Sequence, residues 1–183
     1  MRAVATAVAV IMLVMAGVTF AGRGYAADKA VIDARVEAAL VDLRALGPGT
    51  AMLVDEAAGV LVMPRITKGG FVVGGSYGEG ALLVDGTTAG YYRLASGSLG
   101  LQAGVETFSQ ALLFMTPEVL AEFRETSGWT VGAGTEVTVL EQGFDIGTST
   151  DVVNRPIIAV VFGQNGLLAG ASVAGAKYSP IER

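Results

Sequence analysis

The chain of 183 residues contains neither cysteine nor histidine. These two absences exclude disulfide bonds, Ser-His-Asp and Cys-His nucleophilic systems, and metal sites that rely on thiolate or imidazole ligands. A Walker-type phosphate loop and an S-x-x-K motif are also missing from the sequence. No motif places two of the remaining carboxylates at a separation suited to hydrolysis. We therefore expect no catalytic residue, no metal and no cofactor, and a protein that is not an enzyme.

Positive charge is scarce as well. The chain has 12 Lys and Arg against 17 Asp and Glu, and its net charge is −5. Without residues 1–26, ten basic residues remain and the net charge becomes −7. A protein of that sign repels phosphate backbones, and the sequence contains no dense run of Lys and Arg. We therefore expect no nucleic-acid partner.

Residues 3–22 form an uncharged, largely apolar run that follows the positive start Met1-Arg2. Gly24 and Ala26 then supply small residues at the −3 and −1 positions of a cleavage site after Ala26. These features predict a signal peptide over 1–26 and an exported protein, periplasmic or secreted. A run of this length can also span a bilayer, so an uncleaved membrane anchor over 3–22 is the alternative. A lipoprotein is excluded because its acylation needs a cysteine.

Two helices are predicted in the remaining chain. Residues 27–46 carry apolar residues at three- and four-residue intervals with charged residues between them, and Gly47-Pro48-Gly49 predicts the end of this helix. The second helix is predicted to begin at Thr116-Pro117, where threonine is a good N-cap and proline suits the first turn, and to end near Glu125.

Short strands fill the rest of the sequence. They are predicted at 59–64, 71–74, 81–84, 90–94, 130–140, 143–150, 156–162 and 167–173, and residues 100–115 are predicted as one long strand or two abutting ones. Pro64 is expected to end the first strand, and Asp85-Gly86 and Asn165-Gly166 are typical of hairpin turns. Many of the 26 glycines lie inside these strands, where they favour bulges and tight corners. Because strands and helices do not alternate, we expect one α+β domain over 27–183, with a mainly antiparallel, curved sheet or barrel-like core.

Between residues 59 and 177 the sequence contains the segment GVLVMPRITKGGFVVGGSYGEGALLV and, after it, the segment GYYRLASGSLGLQAGVETFSQALLFMT. The first segment resembles the opening of the SYLF-domain family, and the second is similar to the central block of that family. Trp129 with Gly132, and the segment GLLAGASVAGAK, are similar to its later blocks. The resemblance implies a β-rich fold without enzymatic activity. It also implies binding of anionic lipids, which are phosphoinositides in eukaryotic members, actin binding in yeast members, and export in bacterial ones.

Two features depart from the eukaryotic pattern, in which a basic amphipathic segment before the domain contributes to lipid binding. The predicted N-terminal helix has three basic and four acidic residues, so it offers little attraction to an anionic surface. We expect its apolar stripe to face the core. Actin is an implausible partner for an exported protein.

The candidate lipid-binding residues are basic, because a cluster of them would stand out in an acidic chain. They are Arg65, Lys68, Arg93 and Lys177, and we expect at least two of them to share one face. The aromatic residues Tyr91, Tyr92 and Trp129 either lie at an interface or fill the core.

Two functional hypotheses follow. The first is a non-catalytic cell-envelope protein that binds lipid through an anionic or phosphoinositide-like headgroup. The alternative is an envelope structural or interaction protein that acts through an oligomer or sheet-edge interface.

Overall fold

The computed structural model describes residues 28–70, 73–99, 104–131, 136–141, 155–166 and 175–183. Within these residues the helices are α1 (Lys29–Ala45), α2 (Pro48–Glu56) and α3 (Pro117–Glu125). The strands are β1 (Gly59–Gly70), β2 (Val73–Val84), β3 (Thr87–Leu99), β4 (Gly104–Phe114), β5 (Trp129–Thr130), β6 (Val137–Glu141), β7 (Ile157–Gly166) and β8 (Lys177–Ile181). None of the described helices is long and apolar enough to cross a membrane.

The strands form one sheet in the order β5-β8-β3-β2-β1-β4-β7-β6. Six of the seven neighbouring pairs are antiparallel, and the pair β6–β7 is parallel. The sheet is curled into a half-barrel. The predicted α+β class with a mainly antiparallel, curved sheet is therefore confirmed.

Apolar side chains lie on both faces of the sheet. On the inner face, α3 contributes Leu120 and Phe123 to a cluster that also contains residues of β8 and β7, from opposite ends of the sheet. The sheet therefore curls around α3. On the outer face, α1 and α2 cover a second cluster centred on β1, β2 and β4. The buried residues of α1 are spaced as one helical stripe, and they are Ile32, Val36, Ala39 and Leu43. The expectation that this stripe faces the core is confirmed.

Polar contacts hold the beginnings of α1 and α3 in place. Tyr91 on β3 donates to both carboxylate oxygens of Asp33, at 2.8 and 3.0 Å, and the ammonium of Lys29 lies 5.8 Å from the centre of the Tyr91 ring. The start of α1 is thereby tied to the sheet. The side chain of Thr116 caps α3 by accepting from the backbone N–H of Val119 at 3.5 Å, as the sequence predicts.

The structure differs from the sequence prediction in its first half. Gly47-Pro48-Gly49 does end α1, but Pro48 also begins α2, because proline fits the first turn of a helix. The prediction that Pro64 ends the first strand was wrong. β1 continues to Gly70. Its register shifts at Pro64 against both neighbouring strands, β2 and β4, and proline is tolerated at such bulges.

Several predicted strands merge or fall outside the described residues. Segments 71–74 and 81–84 were predicted as separate strands, but their described residues belong to the single strand β2, and β3 continues through Ser96 to Leu99. Asn165 and Gly166 belong to β7 and pair with β4. Residues 1–26 and the strands predicted at 143–150 and 167–173 lie outside the described residues. The turn at Asp85-Gly86 is confirmed, with φ of 51° and 72°.

Among the described residues, three polar side chains are buried on the inner face. Tyr178 donates to the Oε1 atom of Gln110 at 3.0 Å. The Nε2 atom of Gln110 and the Oε2 atom of Glu106 are buried without a hydrogen-bond partner in the described part of the chain. These groups add a polar row to a cluster that is otherwise apolar.

Burial of Tyr178 predicts a loss of stability in alkali. Burial raises the pKa of this phenol far above its usual value of about 10. The unfolded chain therefore ionises first, and Tyr178 lowers the free energy of unfolding only above about pH 10, by up to about 1.4 kcal/mol per pH unit. We expect Tyr178→Phe to flatten the fall in urea midpoint between pH 9.5 and 11, and an unchanged slope would contradict this.

Candidate functional site

The sheet opens into grooves where α1 passes the irregular part of β1. β1 shifts register against β2 between Val62 and Arg65, and against β4 between Met63 and Ile66. The hydroxyl of Ser109 on β4 donates to the carbonyl of Pro64 at 2.9 Å and so holds this part of β1 in place. The irregularity turns the Arg65 side chain to the outer face, toward α1.

Two adjoining grooves lie between α1 and this part of the sheet. The larger, here called the main groove, has a volume of ≈ 390 Å³, and the smaller, the side groove, has ≈ 150 Å³. Arg35, Pro64 and Arg65 line both. The main groove has polar lining residues of several kinds, which are Arg35, Asp42, Arg65, Thr107, Ser109 and Asn165.

The charged side chains of the main groove have no partner within the described ranges. Arg35, Asp42 and Arg65 are exposed, and none of them forms an ion pair or side-chain hydrogen bond with another described residue. Two other arginines are already paired, since Arg44 contacts Asp55 at 2.7 Å and Arg155 contacts Glu136. The groove therefore presents ionic groups that can bind a charged ligand without breaking an existing contact.

Arg65 also belongs to a charged row across three strands. It lies opposite Glu79 on β2, which lies opposite Arg93 on β3. Neighbouring strands are about 4.8 Å apart, so the two arginines flank the carboxylate at a Cα separation of about 9.6 Å. The row is on the α1 face, because Ala81 and Tyr91, two residues further along β2 and β3, pack in the outer cluster.

The carboxylate in this row accepts hydrogen bonds from at least two donors. Arg183 donates to Oε1 of Glu79 at 2.6 Å, and the Tyr77 hydroxyl donates to the same atom at 2.7 Å. Partial burial, followed by the hydrogen bond to Glu79, raises the pKa of Tyr77, while the charges of Arg183 and Arg93 oppose that shift. The carboxylate of Glu79, between Arg65 and Arg93, thus forms an ion pair with Arg183 at the end of the chain.

The other two basic candidates lie apart from the grooves. Lys177 pairs with Ala95 of β3 and Thr130 of β5, on the same face as Arg93. Lys68 pairs with Glu106 of β4 and lies on the inner face. Arg65, Arg93 and Lys177 therefore share one face of the sheet and Lys68 does not, while their role in lipid binding stays a prediction.

The three aromatic candidates lie in the protein interior. Tyr91 packs in the outer cluster, and Tyr92 and Trp129 pack in the inner one, with 5–8% of each side chain exposed. The Phe123 ring lies between the two inner rings, 4.9 Å from Tyr92 and 5.6 Å from Trp129 between ring centres. Of the two alternatives given by the sequence, this placement favours the core.

Arg35 and Asp42 line the main groove but were not among the sequence candidates. They are seven residues apart on α1, with Ala38 and Ala39 between them on the same side. Two small residues flanked by charges leave space beside a helix, and this spacing is the signal that could have identified them. Among the described residues, no group of three or more Asp and Glu is placed to hold a metal ion.

The comparisons with known proteins agree with the resemblance found in the sequence. Residues 95–182 match the family model Ysc84, described as "Las17-binding protein actin regulator". No curated protein matches the chain. The family is one of binding domains and is not known for catalysis. Over residues 95–182, the chain is therefore a member of the Ysc84 (SYLF) domain family.

Proposed function

We propose that this protein is a non-catalytic binding protein of the cell envelope that holds the phosphate of a lipid headgroup in the main groove. Family membership supports a binding role, since Ysc84 (SYLF) domains are often linked to lipid or actin-regulator binding. The apolar N-terminal segment supports export, through a signal peptide or an anchor over 3–22. Actin is not a partner in this proposal, because an exported protein does not meet it.

The observation that carries the proposal is the pair of arginines at the main groove. Arg35 comes from α1 and Arg65 from β1, so two separate elements deliver guanidinium groups to one groove. A guanidinium group presents planar donors that match the oxygens of a phosphate, and such charge-assisted hydrogen bonds are roughly twice as strong as neutral ones. Because neither arginine is paired with a described residue, a phosphate does not have to displace an internal carboxylate.

The charge of the whole protein requires such a local site. After removal of residues 1–26 the chain carries a net charge of −7, so an anionic membrane repels it at long range. Attraction must then come from contacts shorter than the Debye length of about 8 Å at physiological salt. Two arginines in a groove satisfy this condition, whereas basic residues dispersed over an acidic surface do not.

Arg93 and the side groove extend the proposed site along the sheet. Arg93 is exposed and lies two strands from Arg65, beyond Glu79. The exposed ring of Tyr77 lines the side groove next to Arg65. This ring offers an apolar surface with a polar tip, which suits the boundary between a headgroup and its glycerol. Arg65 thus occupies the centre of the proposed contact area.

Vesicle flotation tests the proposal. The purified protein, its N-terminus established by mass spectrometry, is mixed with vesicles of phospholipid and floated through a density gradient. A lost hydrogen bond to a charged group is worth about 1.5–3 kcal/mol, so Arg65→Gln is expected to weaken vesicle binding about tenfold or more. Arg124→Gln is the matched control, because it removes the same charge from the exposed side of α3.

Equal loss of binding in both variants would show that only total charge matters and would contradict the main groove as the site. If the wild-type protein binds no vesicle and elutes as a discrete oligomer from a sizing column, the lipid function is refuted and the alternative of an envelope interaction protein is favoured.

A further inference from the structure

We propose that the headgroup bound in the main groove carries a primary ammonium beside its phosphate, as in phosphoethanolamine. This inference rests on the proposed function, and it follows from the presence of both signs of charge in one groove. Asp42 lines the main groove together with Arg35 and Arg65. A carboxylate in the groove weakens binding of a purely anionic ligand, because the two negative charges repel each other.

The positions of the charges fit a short zwitterion. Arg35 and Asp42 are seven residues apart on α1, so their backbones are separated by about 10.5 Å along the helix axis. Their side chains extend from the same side of the helix over Ala38 and Ala39. The positive charge of Arg35 and the negative charge of Asp42 therefore face the groove two helical turns apart. A bound zwitterion lies between them with its phosphate toward Arg35 and its ammonium toward Asp42.

The carboxylate of Asp42 is available for an ammonium ion. It is exposed, and no cation in the part of the chain that the structure describes lies within ion-pair distance of it. An ionised carboxylate only accepts hydrogen bonds, and a primary ammonium donates up to three. The hydroxyls of Thr107 and Ser109 and the amide of Asn165 line the same groove and can serve either end of the ligand.

A quaternary ammonium is a poorer fit. It has no N–H to donate, and proteins recognise it mainly through the faces of several aromatic rings. Among the described residues that line the main groove, Phe108 is the one aromatic residue, and its ring is buried in the inner cluster on the other face of the sheet. The groove therefore distinguishes ethanolamine from choline by hydrogen bonding to Asp42.

The net charge of the protein favours the same ligand class. A zwitterionic headgroup has no net charge, so a protein with a net charge of −7 approaches a membrane rich in it without long-range repulsion. An anionic membrane binds the same groove only against that repulsion and against Asp42. Binding to the zwitterionic membrane should therefore depend weakly on salt.

The test compares headgroups on vesicles of one base composition. Phosphatidylcholine vesicles are used alone, with added phosphatidylethanolamine, or with added phosphatidylglycerol, and flotation is measured for the wild-type protein and two variants. Asp42→Asn keeps the shape of the side chain and removes its charge. Glu37→Gln is the matched control, since Glu37 is an exposed acid of α1 that does not line the main groove.

We expect the wild-type protein to prefer vesicles with phosphatidylethanolamine. Asp42→Asn should weaken that binding about tenfold, as expected for one lost charge-assisted contact, and should strengthen binding to phosphatidylglycerol. Glu37→Gln should change neither. If phosphatidylglycerol is preferred and Asp42→Asn behaves like Glu37→Gln, the ammonium inference is overturned while the phosphate function stands.

Titration of a soluble ligand tests whether the groove binds a membrane lipid or a free metabolite with the same headgroup. Glycerophosphoethanolamine, with glycerophosphate as its comparison, is titrated into the protein by calorimetry. Binding of glycerophosphoethanolamine without any vesicle binding would uphold the phosphate-ammonium class and overturn the membrane as its source. The absence of binding in both experiments would overturn the inference together with the proposed function.

Discussion

Replacing Phe123 by alanine is expected to lower the free energy of unfolding by about 4 kcal/mol, which is the middle of the range of about 3–5 kcal/mol for removal of a buried aromatic ring. Phe123, together with Leu120, packs α3 against the inside of the sheet. Its ring lies 4.7 Å from that of Phe114 on β4 and also contacts the rings of Tyr92 and Trp129. The substitution leaves a cavity where strands from both ends of the sheet meet, and the curved sheet cannot close over it.

Urea unfolding followed by far-ultraviolet circular dichroism and by the fluorescence of Trp129 measures this effect with two probes. The two transitions should coincide, since the ring stabilises the whole sheet and not one end of it. Glu122→Ala, an exposed neighbour on α3, should change the stability by less than about 0.5 kcal/mol. A loss under 1 kcal/mol in Phe123→Ala would show that α3 does not organise the inner cluster.

Gly80→Ala is expected to cost about 3 kcal/mol or more, the upper part of the range for overpacking a core. A Cβ atom at this position would lie against the backbone carbonyl of Val62 and 2.8 Å from the Sδ atom of Met63. Both contacts belong to β1, where its register against β2 begins to shift. Because a backbone carbonyl cannot move away as a flexible side chain can, the two strands would have to separate.

Gly97→Ala is the matched control for this glycine. Gly97 lies on β3, and nothing lies within 4 Å of a Cβ atom added there. The substitution should leave stability unchanged or raise it by about 0.4–1 kcal/mol, because alanine restricts the unfolded chain. Equal losses in both variants would indicate that glycine content in general, and not the close approach of β1 and β2, limits the fold.

Local patterns were sufficient to predict the elements with their own start and stop signals. The apolar stripe of α1, the cap at Thr116 and the turn at Asp85-Gly86 depend on residues close together in sequence, and all three are confirmed. The α+β class followed from the arrangement of such elements along the chain. The family resemblance followed from the order of motifs and is confirmed over 95–182.

The strands that the sequence predicted wrongly depend on long-range packing. The glycines of β2 suggested a break, yet they keep one long strand close to β1, as at Gly78, where an added Cβ atom would lie 2.9 Å from the carbonyl of Arg65. Pro64 suggested a strand end, but Ser109 of β4 accommodates it. Neither neighbour can be identified from the residues next to it in the sequence.

The sequence predicted only part of the candidate site, because the rest of the site also depends on long-range packing. Arg65 was a candidate because basic residues are few. Arg35 and Asp42 were included only in the charge balance of a nearly neutral helix. They become groove residues because α1 crosses the sheet at the irregular part of β1, and that crossing depends on contacts such as Tyr91 with Asp33. Counting charge along a helix does not indicate which of its charges share a groove.

The central claim is that Arg35 and Arg65 hold a lipid phosphate in the main groove. Nuclear magnetic resonance of the arginine Nε–H groups, recorded as a soluble short-chain phosphatidylethanolamine or phosphatidylglycerol is added, tests it most directly. The account predicts saturable shifts at Arg35 and Arg65 with either lipid, and none at Arg124. Shifts confined to other arginines, or absent from all of them, would contradict it.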